Sequence, residues 1–338
     1  MRSSASPYGF HRVLGDSSLL PQAALQLDVS LPLYSNEVLI DVEILNLDST
    51  SFKQISDSVN ADLEKIKFEI LKIVRQKGKM HNPVTQSGGM LIGKIRELGE
   101  DYRGSLQAKV GDKIATLVSL TLTPLELESI ESIDLKTGQV QVKGHAILFE
   151  SGIAAVLPKD IPEKISLALL DVCGAPALSL RYAKVGTQVL FVGAGKSAKL
   201  SAAALRMKHG ASLSIHAVDV SEENLREMKD MDLADEIFKI DARKADWKNL
   251  QNNYDLVINV ANVPGTEMFS LLAVKPRGRV LFFSMATDFS KVALGAEGIG
   301  KDAEFIIGNG YAQGHAELAL EVFRKNKKLR KYFEEKYL

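Results

Sequence analysis

Thr187-Gln188-Val189-Leu190-Phe191-Val192-Gly193-Ala194-Gly195-Lys196-Ser197-Ala198 is the stretch on which the reading of this chain turns. Its apolar, β-branched half predicts a strand buried on both faces. The run stops in Gly193-x-Gly195-x-x-Ala198, and Leu200, Ala203, Ala204 and Met207 then follow at helical spacing up to Gly210. Strand, glycine turn and helix in that order form the context of a dinucleotide-binding fingerprint. Gly193 permits the tight turn, Gly195 lets a pyrophosphate approach the backbone, and Ala198 lets the helix pack on the strand. The first N–H groups of the helix, Ala194, Lys196 and Ser197 around them, then face the phosphates.

A glycine turn of this spacing also occurs in other α/β proteins, so the next strand matters. Ser212 to Val220 predicts a second strand that delivers Asp219 about two dozen residues beyond the glycines. A carboxylate there accepts hydrogen bonds from ribose hydroxyls and repels a 2′-phosphate, which favours NAD and leaves NADP as the alternative. Asn262, after a later strand, joins the candidate cofactor residues. Gly195-Lys196-Ser197 mimics a nucleotidase phosphate loop, but that motif needs glycine where the chain has Leu190.

Downstream the pattern alternates. Strands are predicted at 235–238, 254–260, 279–284 and 304–307, with a helix over 266–274. This is a doubly wound parallel sheet. Upstream, 37–46 alternates Val38, Ile40, Val42 and Ile44 against Glu37, Asp41 and Glu43, a half-buried strand. A polar turn, 47–51, follows it. A helix over 60–77 closes at Gly78. Further strands at 90–95, 115–122 and 138–150 suggest a barrel-like domain. The expected organisation is an α/β chain with a first domain over 1–162, a dinucleotide-binding domain over 163–310, and a helical segment over 311–338 packing back on the first domain.

The chain has 338 residues, 46% hydrophobic and 25% charged, an ordinary globular balance. Its 42 basic and 42 acidic residues offer no net field for nucleic acid or anionic lipid. The first residues lack the apolar core of a secretory signal, and no apolar run approaches a membrane span, so a cytoplasmic protein is expected. One cysteine excludes an internal disulfide framework.

Barrel-like domain first and dinucleotide fold second resembles the medium-chain dehydrogenase/reductase superfamily, which implies a GroES-like β-barrel followed by a Rossmann domain. Val110-Gly111-Asp112-Lys113-Ile114 resembles that superfamily's VGDRV turn, and Gly88-Gly89-Met90-x-x-Gly93-x-Ile95 sits where its GHExxGxV motif falls. Tyr254 to Ile258 and Lys275-Pro276-x-Gly278-Arg279-Val280 resemble later signatures. The departures are informative. Gly89 and Met90 replace the histidine and glutamate, and Asp48 stands where the first zinc cysteine usually falls. Cys173 alone matches a zinc-ligand position, so no metal is expected.

A closer resemblance runs through Ser6-Pro7-Tyr8-Gly9-x-His11-Arg12-Val13, Leu47-Asp48-Ser49-x-Ser51-Phe52, the loop from Gly78 to Met90, and Val192 to Ser197. Together these resemble the L-erythro-3,5-diaminohexanoate dehydrogenase family, amine dehydrogenases of anaerobic lysine degradation. The resemblance implies NAD(P)-dependent oxidation of a 3-amine to a ketone with release of ammonia. Its superfamily implies a homodimer, and its partner is a small diamino acid. Such chemistry needs a group that deprotonates the ammonium and groups that orient water. Asp48 and His81 are the candidates for managing these protons, together at the nicotinamide end of the cleft between the domains. Asp48 as a cap of its turn, and His81 as a loop histidine satisfied by backbone, remain the alternatives. Thr85, Asn82 and Ser51 are candidates to position water or the second amine, and Arg12 or Lys79 to meet the carboxylate. Cys173 is either a small buried residue or part of the substrate site. A zinc-independent quinone or enoyl reductase and a non-catalytic cofactor-binding protein are the competing readings.

Overall fold

The computed structural model describes residues 1–244, 250–284 and 286–338 and divides into two compact units, Met1–Glu163 and Lys164–Leu338. In the first unit, β1 (Val13–Leu14) pairs with β2 (Gln26–Leu27). Then come β3 (Val38–Leu47), α1 (Ser49–Ser58), α2 (Leu63–Lys77), β4 (Gly89–Leu98), β5 (Lys113–Thr116), β6 (Leu125–Asp134), β7 (Gln139–Leu148) and β8 (Ala154–Val156). The larger sheet is antiparallel, in the order β6-β7-β3-β4-β5-β8. Register shifts in β3 against β4 and β7, and in β6 against β7, bend the strands as bulges do, giving the GroES-like form.

Two elements differ from the sequence expectation. The polar turn after β3 is the start of a helix: Asp48 caps α1, its Oδ1 accepting from the Thr50 N–H at 2.9 Å. The strand expected over 115–122 stops at Thr116, because Ser119 accepts from the Thr121 N–H and builds a local turn that takes the backbone out of the sheet. Helix α2 begins at Leu63 rather than at 60. Asn60 and Ala61 have positive φ, and Asp62 supplies the cap. Gly78 ends it in the left-handed region, as expected.

The second unit holds α3 (Glu163–Leu170, whose first residue belongs to unit one), α4 (Gly174–Tyr182), β9 (Gln188–Val192), α5 (Lys196–His209), β10 (Ser214–Asp219) and α6 (Glu222–Asp230). It continues through β11 (Glu236–Lys239), β12 (Tyr254–Asn259), α7 (Glu267–Ala273), β13 (Val274–Phe282), α8 (Phe289–Gly298), β14 (Glu304–Ile307), α9 (His315–Lys325) and α10 (Lys327–Tyr337). The six strands are parallel, in the order β11-β10-β9-β12-β13-β14. Counted within the unit this is 3-2-1-4-5-6, the Rossmann order. Four of the five residues of β9 are buried, as a central parallel strand requires.

The C-terminal segment, expected to pack on the first domain, is part of the second unit. Helices α9 and α10 cluster with the second unit, where α9 lies on α4 and α5 and α10 lies on α5 and α9. Phe323 and Phe333 are buried and meet edge to face, 6.1 Å between ring centroids.

Candidate active site

The glycine turn sits where the strand order reverses, between the C-terminal ends of β9 and β12. Gly193 has φ +94°, and a Cβ there would lie 3.0 Å from the Ala261 N at the end of β12. Only glycine satisfies both the dihedral and the close approach. Gly195 faces open space and begins α5 with no side-chain cap. The first-turn N–H groups, of which Lys196 and Ser197 supply two, have no intrahelical acceptor and suit a phosphate anion. The Lys196 ammonium itself pairs with Asp171 at 2.7 Å, so what this residue offers is its backbone.

Asp219 ends β10, as expected. Its Oδ2 accepts from the Ala194 N–H at 2.7 Å and its Oδ1 from the Ser221 N–H at 2.8 Å. Each oxygen keeps a further lone pair for a ribose hydroxyl. Asn262 is exposed just beyond β12. Its neighbour in sequence, Asn259, is buried, donating to Thr266 and Ser270 and accepting from the Ala261 N–H, which fixes the backbone opposite Gly193. These residues fit a dinucleotide: a side-chain-free turn, an open helix N-terminus and a carboxylate at the end of the second strand. Cys173 is buried in this unit with its thiol donating to the Leu170 carbonyl, and burial pushes its pKa up to about 12. It is a small core residue with an inert thiol.

In the first unit, the loop 78–89 is folded against the start of α1. The Ser51 hydroxyl is buried and lies 2.5 Å from Thr85 Oγ1 and 2.6 Å from Ser87 Oγ, with Thr85 and Ser87 3.1 Å apart. Asn82 donates to Gln54 Oε1 at 2.8 Å and accepts from the Val84 N–H at 2.8 Å, closing the loop on itself. The Asp48 N–H donates to the Gly88 carbonyl. The structure therefore brings the segments of Asp48 and His81 together, although the two side chains have separate partners. Asp48 caps its helix through Oδ1. His81 Nε2 lies 2.9 Å from Gln86 Oε1.

The Gln86 amide donates to the Pro83 carbonyl at 2.7 Å, which turns its oxygen toward the imidazole. Neutral His81 must then carry its proton on Nε2. Its Nδ1 is a buried acceptor with no hydrogen-bond partner among the described residues. Burial, then the charge of Lys79, lowers the pKa of His81 below the ordinary 6.5, so the ring is neutral at pH 7.

The two cations expected to meet the substrate carboxylate both have partners within the first unit. Arg12 is fully buried and gives Nε and Nη2 to the two oxygens of Glu37, at 2.8 and 2.6 Å, and Nη1 to the Ser30 carbonyl at 2.7 Å. Its guanidinium also lies over the Tyr34 ring, 5.2 Å from the centroid. Burial alone would raise the pKa of Glu37, but Arg12 and then His11 hold it below the usual range. Lys79 is equally buried, donating to the Pro21 and Gln22 carbonyls at 2.6 and 3.1 Å. Desolvation, then Lys77, lowers its pKa to about 8. Both cations hold the irregular N-terminal segment to the sheet and to the loop, and neither is free for a carboxylate.

Gly89 bears on metal binding. It stands where zinc-dependent relatives would place histidine, its φ is +116°, and a Cβ there would meet the Asn46 carbonyl at 2.2 Å. No ligand-bearing residue fits that backbone. Among the described residues no group of three or more His, Cys, Asp or Glu is placed to hold a metal ion.

Sequence reasoning missed Lys199, Gln54, Gln86 and Ser87. Ser87 and Gln86 lay in the loop already singled out, whereas Lys199 had the position of a wet-face helix residue.

A GroES-like sheet unit followed by a Rossmann unit is the medium-chain dehydrogenase/reductase fold. Solved structures share it: a quinone oxidoreductase from Coxiella burnetii matches with TM-score 0.55 at 18% identity, over 90% of this chain and 85% of that one. An Escherichia coli alcohol dehydrogenase complexed with NADH matches with TM-score 0.55 at 16% identity, over 88% and 85%. At these identities the likeness is one of fold. A family model described as the L-erythro-3,5-diaminohexanoate dehydrogenase N-terminal domain matches residues 11–158. The L-erythro-3,5-diaminohexanoate dehydrogenases of Acetoanaerobium sticklandii and Fusobacterium nucleatum subsp. nucleatum are 46% and 47% identical to this chain, each over 98% of both sequences. The chain belongs to the L-erythro-3,5-diaminohexanoate dehydrogenase family.

The role of Arg12 has a direct test. Arg12→Met leaves the Glu37 carboxylate buried without its partner and should cost roughly 3–5 kcal/mol in denaturant unfolding of the first unit. The KM for the amino-acid substrate of protein that remains folded should stay within about twofold of wild type, since no direct substrate contact is lost. A KM raised a hundredfold at unchanged stability would restore the substrate role.

Proposed function

We propose that this protein catalyses the NAD(P)-dependent oxidative deamination of L-erythro-3,5-diaminohexanoate. After its ammonium loses a proton, the 3-amine carbon gives a hydride to the cofactor, and water adds to the iminium and displaces the nitrogen, giving 5-amino-3-oxohexanoate, ammonium, reduced cofactor and a proton. The observation that carries this reading is that the match to dehydrogenases of that name, at 46% and 47% identity, covers 98% of the chain and so spans both units. A quinone or enoyl reductase shares only the fold and does not account for a loop lined with hydroxyls, amides and a neutral imidazole.

The nicotinamide, when bound, supplies the hydride acceptor. The chain's residues manage binding, water and protons. Asp48 uses one oxygen to cap α1 and keeps the other as a negative partner for the cationic substrate. His81 is assigned the proton from the substrate ammonium, through Nδ1, the ring nitrogen with no hydrogen-bond partner among the described residues. Ser51, Thr85 and Ser87 each donate and accept, which suits the placing of a water or a second amine. Metal is not needed to polarise an amine, and a cation in this site would repel an ammonium.

Asp48→Asn and His81→Gln should each lower turnover by roughly two to four orders of magnitude. NADH affinity should barely change. The acid limb of the wild-type rate profile should fall below pH 6.5, because the lowered pKa keeps His81 unprotonated above that point. The limb should vanish in His81→Gln. Near-normal rates for both variants across pH 7 to 10 would place the base elsewhere.

We further propose NAD over NADP, on the Asp219 carboxylate beside the turn. Asp219→Ala should relax the preference and weaken NAD by about 1–3 kcal/mol, measured as specificity constants for both cofactors. A wild-type constant higher for NADP would overturn it. Elemental analysis should give well under one zinc per chain, and activity lost to a chelator and restored by zinc would refute the metal-free reading.

A further inference from the structure

Lys199 is the fourth residue of α5 and its side chain has no exposure at all. A cation at this place is costly twice over. Its ammonium is desolvated, and it lies near the positive end of the helix dipole. The neighbouring buried positions of α5 are filled by Ala198, Leu200, Ser201, Ala202 and Ala203, so packing alone calls for a small or apolar side chain.

The Lys199 ammonium makes two hydrogen bonds and one ion pair. Nζ lies 2.8 Å from the Ala194 carbonyl, 3.1 Å from Asn224 Oδ1 and 2.7 Å from Glu227 Oε2. The Tyr332 ring of α10 covers the fourth side, its centroid 4.9 Å away. The one contact that leads to the cofactor turn is the first. Ala194 is the middle residue of Gly193-Ala194-Gly195, and its own N–H is already held by Asp219 at 2.7 Å. Both peptide groups flanking Ala194 are therefore fixed, one by a carboxylate and one by an ammonium.

In a trans peptide the C=O of one residue and the N–H of the next point in opposite directions. With the Ala194 carbonyl turned inward to Lys199, the Gly195 N–H is turned the other way, and among the described residues nothing would crowd a Cβ on Gly195 within 4 Å. We propose that Lys199 is a positioning residue for the cofactor's pyrophosphate: its buried ammonium clamps the Ala194 carbonyl so that the Gly195 N–H joins the first N–H groups of α5 in one anion-binding set. The inference rests on the dinucleotide-binding reading of this turn. Asn224 and Glu227 of α6 and Tyr332 of α10 hold Lys199 in place and offset the cost of its burial. They thereby tie the precision of the turn to two elements outside the β9–α5 motif.

The test separates phosphate recognition from general damage. ADP-ribose carries the pyrophosphate, and adenosine keeps a ribose for Asp219 but has no phosphate. Lys199→Met should bind ADP-ribose roughly 10- to 100-fold more weakly by calorimetry, the worth of a charge-assisted hydrogen bond. Its affinity for adenosine, read by saturation-transfer NMR, should stay within about twofold, and its amide exchange at Gly195 should rise. Should Lys199→Met fail to fold, Lys199→Gln keeps one shorter donor and is judged by the same ratio. Equal losses for both ligands, or no loss for either, would overturn the positioning role. Wild-type protein that binds neither NADH nor ADP-ribose would instead remove the dinucleotide reading beneath it.

Discussion

The close approach of β9 and β12 is the constraint on which the second unit depends. Where strand order reverses, two strand ends lie side by side and the helices leaving them diverge, which opens a crevice at their carboxyl ends. At φ +94° and with a Cβ only 3.0 Å from the Ala261 N, the position of Gly193 disfavours any side chain. The chain must therefore turn sharply there, and that turn leaves backbone N–H groups without helical partners. Asp219 and Lys199 then act on one residue, Ala194, from opposite sides. A loop of three residues, two of them glycine, is made rigid by charged side chains rather than by its own sequence.

That rigidity explains why the C-terminal helices belong to this unit. Burying Lys199 requires neighbours that compensate its charge, and they come from α6 and α10. Amphipathic periodicity in 315–338 marks an apolar face but does not name the surface that receives it. The receiving surface, α4 and α5, is itself built from small residues such as Ala175, Ala203 and Ala204, which read as helix formers rather than as a docking face.

The contrast between what was legible and what was not follows range of interaction. Strand β9, the turn and α5 each carry local signals that agree with the fold around them, so the Rossmann unit could be read from 187 to 210 outward. Gly78 and the apolar face of α2 were legible for the same reason. Helix α1 was not, because Asp48 and the serines after it serve equally as a turn or as a helix start, and packing of Phe52 and Ile55 decides. Arg12 and Lys79 looked like free cations in irregular sequence. Their burial is set by Glu37, 25 residues from Arg12, and by the carbonyls of Pro21 and Gln22, 58 and 57 residues from Lys79. No window-sized pattern contains those pairs.

The loop 78–89 joins two local constraints, a backbone at 89 that bars a metal ligand and a carboxylate beside it. A zinc ligand at 89 is barred by backbone geometry, and the backbone is held that way by β3, since Gly89 pairs with Leu47 at the end of that strand. The position after Leu47 is Asp48, so the same pairing that excludes the ligand sets a carboxylate beside the loop. Removing a dication and supplying an anion both change the local field in the direction that favours an ammonium substrate. Lys79 works against that field, and its depressed pKa limits the effect: burial favours its neutral form, and the carbonyls of Pro21 and Gln22 stand where an acidic residue would have strengthened its charge. Lys199 is given a carboxylate and stays paired, whereas Lys79 is given none.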